Sequence, residues 1–209
     1  MGGSRMRLLA VDSSDQLPVV DLEQRIQQLL AQGDLRAAAT EAIRGLGPVV
    51  LRYLGSVLHD EADVTEAFGC FAESLWRGLP SYQHRASFRT WALRLAWNCA
   101  LDVRNEAWRR RGRPFQTGEM SALAAELQTT SSTREAQHRV ALDRLRAALT
   151  PEERALLALR VDQELSWQEV AEVLSPHGGV PLAPSTLMKR FERLKERLGR
   201  LAREQGLLD

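Results

Sequence analysis

The stretch SFRTWALRLAWNCALDVRNEAWRR, residues 87–110, decides the fold. At helical spacing it separates into rows of residues four apart. Phe88, Ala92, Ala96 and Ala100 form one row; Arg89, Leu93, Trp97 and Leu101 form a second; Trp91, Leu95, Cys99 and Val103 form a third. Thr90, Arg94, Asn98 and Asp102 make the wholly polar row. A helix apolar on most of its sides is mainly buried, so this spacing predicts the central helix of a bundle. Its polar row must face solvent or a polar partner.

Upstream, the periodicity is also helical. Leu22, Ile26, Leu29 and Leu30 share one face of a helix expected over 21–32, which Gly33-Asp34 stops. Residues 35–58 carry Leu46, Val50, Tyr53, Leu54 and Val57 on one side, with a break expected between Gly45 and Pro48. Residues 62–79 place Ala67, Phe68, Phe71, Leu75 and Trp76 on an apolar side, and Gly78 and Pro80 end that helix.

Downstream, Gly, Pro, Ser, Thr and Gln dominate from 111 to about 132, with a short helix expected at 119–127. This reads as a flexible linker that lets two domains sit apart. A helix over 137–149 follows. Thr150-Pro-Glu-Glu153 and Ser166-Trp-Gln-Glu169 are capping boxes, the first with proline at the opening helical position. A Pro/Gly turn covers 175–183. A long helix then starts at Pro184 or Ser185, with Leu187, Phe191, Leu194, Leu198 and Leu201 in one stripe. Strand-like alternation is missing throughout. The expected fold is therefore all-α, with two helical domains joined by a flexible linker. Its divisions are an N-terminal extension with one helix (1–35), a first domain (36–110), the linker (111–136) and a helix-turn-helix domain (137–206).

Composition excludes several classes. The chain has 209 residues, 44% of them hydrophobic and 26% charged, as in ordinary globular proteins. No apolar run approaches the roughly 18–20 residues of a membrane span and the N-terminus lacks a signal-peptide pattern, so a cytoplasmic protein is expected. The two cysteines, Cys70 and Cys99, lie in apolar helical patterns and read as reduced, buried thiols. The four histidines fall in unrelated segments, and phosphate loops, nucleophile elbows and metal-ligand spacings are lacking. No enzyme activity, metal or cofactor is expected.

The net charge of +1 hides a segregated distribution. Acidic residues crowd into 60–66 and 152–172, basic ones into 104–113 and 189–203. Local patches decide phosphate contacts more than the total does. Helix 166–174, its turn and the basic helix after it have the form of a helix-turn-helix, whose second helix enters the major groove. Ser185, Thr186, Lys189, Arg190 and Arg193 stand at its N-terminal end. Between Tyr82 and Trp91, aromatics mix with Gln83, His84, Arg85 and Arg89, a composition able to hold an unstacked base.

Together these segments resemble the sigma-70 family of bacterial transcription initiation factors, in its small extracytoplasmic-function (ECF) subclass. SFRTWALRLAWN at 87–98, with DEADVTE at 60–66 and FAESLWRGL at 71–79, is similar to the family's region 2. LSWQEVAEVL at 165–174 and TLMKRFER at 186–193 are similar to its region 4. The resemblance covers about 36–110 and 137–200, in the family's order. It implies a factor that binds core RNA polymerase and directs it to promoters. Helix 60–77, through Asp63, Glu66, Phe71 and Trp76, would meet the β′ clamp helices. Tyr82, Gln83, His84, Arg85, Thr90, Trp91, Arg94 and Asn98 would melt and hold the −10 element. Ser185, Thr186, Lys189, Arg190 and Arg193 would read the −35 element, while that domain touches the β flap. An anti-sigma factor is a further candidate partner.

The sequence departs from the family pattern in places. A frequent Gln-Glu pair falls on Gly69-Cys70, and Glu66 stands where Asp is usual. His84 replaces a usual Gly and Arg85 a usual acidic residue. The 175–183 turn is longer than usual. Two other readings compete: a free-standing regulator using only 166–200, and a degenerate sigma-like interaction protein, which Gly69-Cys70 favours. Residues 1–35 lack a family counterpart; they are expected to supply an extra helix that packs on the first domain, the alternative being a regulatory or partner-binding segment.

Overall fold

In the computed structural model, residues 19–58, 60–111, 145, 147–176, 180–205 and 207 are described. The expected helix at 119–127, most of that at 137–149 and the linker itself lie outside them. The described elements are helical: α1 (Val19–Ala31), α2 (Leu35–Val57), α3 (Glu61–Gly78), α4 (Phe88–Arg111), α5 (Pro151–Leu157), α6 (Trp167–Leu174) and α7 (Pro184–Glu204). A 3-10 turn over Leu79–Ser81 ends α3, and a π-helical turn over Ala158–Asp162 extends α5.

Helix starts follow local chemistry. Asp34 Oδ1 accepts from Ala37 N at 2.9 Å, and Asp60 Oδ1 from Ala62 N at 2.8 Å. Ser87 Oγ accepts from Thr90 N at 3.1 Å to begin α4. Both expected capping boxes form: Thr150 with Glu153, and Ser166 with Glu169. Each cap satisfies a backbone N–H that the helix itself leaves unpaired.

The break expected near Gly45–Pro48 does not occur; α2 runs unbroken through Pro48. Packing overrides the proline. Leu46, Gly47 and Val50 are buried around it, while Pro48 itself faces outward. Gly45 serves a different purpose: a Cβ there would overlap the Leu22 side chain, so the glycine lets α1 lie close against α2. Leu22 and Ile26 are buried in that contact, and Arg25 pairs with Glu41 at 3.4 Å. Helix α1 of the extension thus packs on α2.

Helices α2, α3 and α4 form the first bundle around Tyr53, Phe71, Leu75, Phe88 and Leu93, all fully buried. Helices α5, α6 and α7 form the second around Leu159, Val170, Val173 and Leu187. The two bundles do not sit apart. Helix α6 packs on α4, α5 packs on α2, and one apolar core runs through both. Each fully buried Leu or Phe contributes about 1.5–3 kcal/mol, so this shared core holds the halves together more firmly than surface ion pairs would.

Candidate nucleic-acid interface

The loop before α4 is built from stacked rings. Tyr82 lies 5.2 Å from Phe88, edge-on, and 5.0 Å from Trp91. Its hydroxyl donates to Ala86 O at 2.7 Å, closing the loop. Trp91 in turn covers Gly78, where a Cβ would meet the Trp91 ring at 2.8 Å. His84 stacks 4.4 Å from Tyr82 and has φ +54°, the left-handed region. That backbone is why a glycine suits this position. Gln83, His84 and Arg85 are exposed. The Tyr82 phenol is pushed up to about 12 by burial first and then by the carboxylates of Glu23 and Glu172.

Along α4 the polar row changes character from one end to the other. Thr90 is fully buried, Arg94 and Asn98 are half-buried, and Asp102 is exposed. The Thr90 hydroxyl meets Ser87 Oγ at 2.8 Å and donates to Glu169 Oε1 of α6 at 3.1 Å. One turn on, Arg94 lines a cleft of about 360 Å³ with Gln168, Glu172 and Ser175. Beside the row, Arg89 Nη2 donates to Gln163 O at 3.1 Å and to Gln163 Oε1 at 2.8 Å. The π-helical turn aims Gln163 at that guanidinium, its N–H donating to Ala158 O at 2.9 Å. Farther along, Arg104 pairs with Glu152 at 2.6 Å. The polar partner that the row requires is thus, at its first residue, the chain's own second domain.

Burial raises the Glu169 carboxyl, but hydrogen bonds from Ser166 and Thr90 and the charge of Arg89 outweigh it and hold the group below its ordinary value. Glu152 and Glu153 are likewise held low, against burial, by Arg104 and Arg197 respectively and by the N-terminal cap of α5.

The second basic surface is open. Ser185, Thr186, Lys189, Arg190 and Arg193 are all exposed on α7. Leu187 and Leu194 face inward, and Trp167 packs edge-on against Phe191 at 5.4 Å. Arg190 and Arg193 also edge a groove of about 680 Å³ floored by Trp97, Leu156, Leu187 and Leu194.

On α3, Glu66 and Trp76 are exposed and Asp63 is half-buried, while Phe71 is fully buried. Phe71 therefore belongs to the core, and the expectation that it touches a partner is corrected: it lies on the inward face, five residues from both Glu66 and Trp76 and so about 140° round the helix from each. Gly69 lies on the outward side with open space about it. Cys70 is half-buried and its neighbour one turn on, Ser74, meets Cys99 Sγ of α4 at 3.7 Å. The Gly69-Cys70 pair thus divides into one surface position and one packing position. Sequence reasoning missed Glu23, whose Oε1 accepts from Phe88 N at 3.0 Å at the start of α4. It missed Gln163 and Glu152 as well. Only the acidic crowding over 152–172 hinted at them.

The model of the sigma-70 region 2 family matches residues 42–113. This segment is similar to sigma-70 region 2. The matched segment holds α3, the aromatic loop and α4, the elements on which the region 2 part of the sequence resemblance rested. A solved structure of CnrH in complex with the cytosolic domain of CnrY shares the fold, with TM-score 0.60 and 20% identity over 88% of this chain and 99% of that one. Its extent shows that the whole two-domain helical architecture, and not region 2 alone, is of this type. No curated protein matches the chain. Among the described residues, no group of three or more His, Cys, Asp or Glu could hold a metal, and no helix is long and apolar enough to cross a membrane.

Proposed function

We propose that this chain is an ECF-type sigma factor of the cytoplasm that binds core RNA polymerase, melts the −10 element with region 2 and reads the −35 element with α7. The observation that carries this reading is the polar row Thr90-Arg94-Asn98. It lies on a helix otherwise buried in its bundle, beside an aromatic loop, inside the matched region 2 segment. Hydroxyl, guanidinium and amide groups one turn apart suit the backbone and edges of an unpaired strand, and the adjacent rings suit a splayed base. The exposed cations of α7 suit the phosphates and base edges of a duplex groove. Glu66, Gly69 and Trp76 on α3 form the surface offered to the clamp helices. The likeness to CnrH, whose structure holds the cytosolic domain of CnrY, supports an anti-sigma partner for this chain too.

Transcription in vitro with core polymerase, with and without the protein, on fragmented genomic template tests the reading. Discrete start sites that need the protein are expected. Transcripts identical with and without it would overturn the assignment.

A further inference from the structure

Helices α3 and α4 run antiparallel, and two contacts set their register. At the loop end Trp91 covers Gly78, where a Cβ would meet the indole at 2.8 Å. Deeper in the bundle, Ser74 Oγ lies 3.7 Å from Cys99 Sγ. Cys70 stands eight residues before Gly78, and Cys99 eight residues after Trp91. Eight residues of helix rise about 12 Å, so the same register brings Cys70 opposite Cys99. The row Cys70, Ser74, Gly78 is small throughout, which lets α4 approach closely. The two thiols are near enough to share a hydrogen bond. Burial first, and the Cys70 thiol next, push the Cys99 thiol up, while the Ser74 hydroxyl pulls it the other way. These are the two cysteines of the chain, and both are free. Cys99 is 2% exposed, whereas Cys70 is half-buried. One thiol is thus open to a small oxidant, and the other is sheltered beside it.

We propose that Cys70 and Cys99 are a peroxide-oxidised disulfide site, a reversible staple between α3 and α4. Cys70 Sγ attacks one oxygen of hydrogen peroxide; the O–O bond breaks, the sulfur becomes a sulfenic acid and water leaves. Cys99 Sγ then attacks the Cys70 sulfur. The S–S bond forms, the S–O bond breaks, and the hydroxide departs as water with the Cys99 proton. Two thiols are oxidised and one peroxide is reduced. The attacking species is the thiolate, and the Ser74 hydroxyl stands where it steadies that charge on Cys99. From hydrogen-bond contact to the roughly 2 Å of an S–S bond, the sulfurs need a short approach of α3 to α4. A dithiol reverses the step by exchange. Where thiols are kept reduced, a disulfide of this kind is transient and responds to oxidant. The staple joins the helix that carries Glu66, Gly69 and Trp76 to the helix that carries the polar row. It stands on the α3–α4 register and not on the DNA or polymerase assignments.

The test treats the reduced full chain with hydrogen peroxide near neutral pH, quenches with acid and alkylates the unfolded product. The intact mass should fall by two hydrogen atoms, and neither cysteine should take the alkylating agent. Proteolysis should yield the Cys70 peptide joined to the Cys99 peptide. The melting temperature should rise by about 5 °C or more and return on adding dithiothreitol. Cys99→Ala should stop at the Cys70 sulfenic acid, trapped by dimedone, with no rise in melting temperature. Cys70→Ala should leave Cys99 open to alkylation and give no dimedone adduct. Two thiols still alkylated in full after peroxide would overturn the site. So would a bridge formed only between Cys70 residues of two chains, or a bridged chain that melts where the reduced one does. Peptide mapping of the unsubstituted chain decides the outcome even where a variant fails to fold.

Discussion

Helices α4 and α7 both carry a row of polar and cationic side chains suited to DNA, yet they stand in opposite states. On α7 the row Ser185, Thr186, Lys189, Arg190 and Arg193 is exposed along its whole length. On α4 the row begins at a fully buried Thr90 and opens only toward Asp102. The difference comes from what each helix packs against. Helix α7 has a narrow apolar stripe and lies on the edge of its bundle. Helix α4 is apolar on most sides, so it draws neighbours all round, and α6 arrives with its carboxylates on the remaining polar row. A buried helix can keep a polar face only if something polar covers it.

The largest effect should separate the two helices by stability. Phe88→Ala on α4 empties a fully buried site and is expected to cost about 3–5 kcal/mol by urea denaturation. Met188→Ala on α7, half-exposed, should change stability by no more than about 0.5 kcal/mol. Comparable losses would erase the contrast between a core helix and a surface helix.

Function should divide along the same line. Lys189→Ala is expected to weaken −35 duplex binding and to lower the salt slope of log K by about one unit. Arg94→Ala and Asn98→Ala should leave polymerase binding intact and impair promoter opening, read by permanganate reactivity. Equal loss of polymerase binding in all three variants would count against both assignments.

Acid should act on the domain contact. Glu169 and Glu152 are held below their ordinary value in the folded protein, so they bind fewer protons there than in the unfolded chain. Their contribution is complete above the ordinary carboxylate value of 4.5 and is lost as pH falls through the lower folded values. Solution scattering below about pH 4 should therefore show expansion or unfolding that the pH 7 protein lacks. A contact that tightened on acidification would contradict this sign.

Smaller effects belong to single positions. His84 sits at positive φ, so His84→Gly should raise stability by about 1 kcal/mol while removing the ring stacked on Tyr82. Gly69→Ala should add about 0.5–1 kcal/mol, since the site is helical and open. A Gly69 variant that was instead destabilised would mean that the outward face of α3 is covered in solution.

Much of this was legible in the sequence because it depends on near neighbours. The polar row of α4, the inward stripe of α7 and both capping boxes are set by residues three or four apart, and each formed. The role of Gly45 was not legible: a glycine before a proline reads as a break, and only the arrival of Leu22 from another helix shows its use. Phe71 read as a partner contact by resemblance, but its position in the α3–α4 packing makes it core.

The sequence by itself determined the helices, their inward faces, the family resemblance and the two sets of DNA-suited side chains. These follow from periodicity and local hydrogen bonding, which adjacent residues control. Only the tertiary structure decided that the two domains share a core, that Glu23 meets the start of α4, and that Gln163 and Glu169 hold Arg89 and Thr90. Those partners lie 65 to 79 residues apart along the chain. Nothing in the local pattern fixes such pairs; they follow from burial of apolar surface on both domains, which brings the carboxylates of α6 against the one polar row that α4 has.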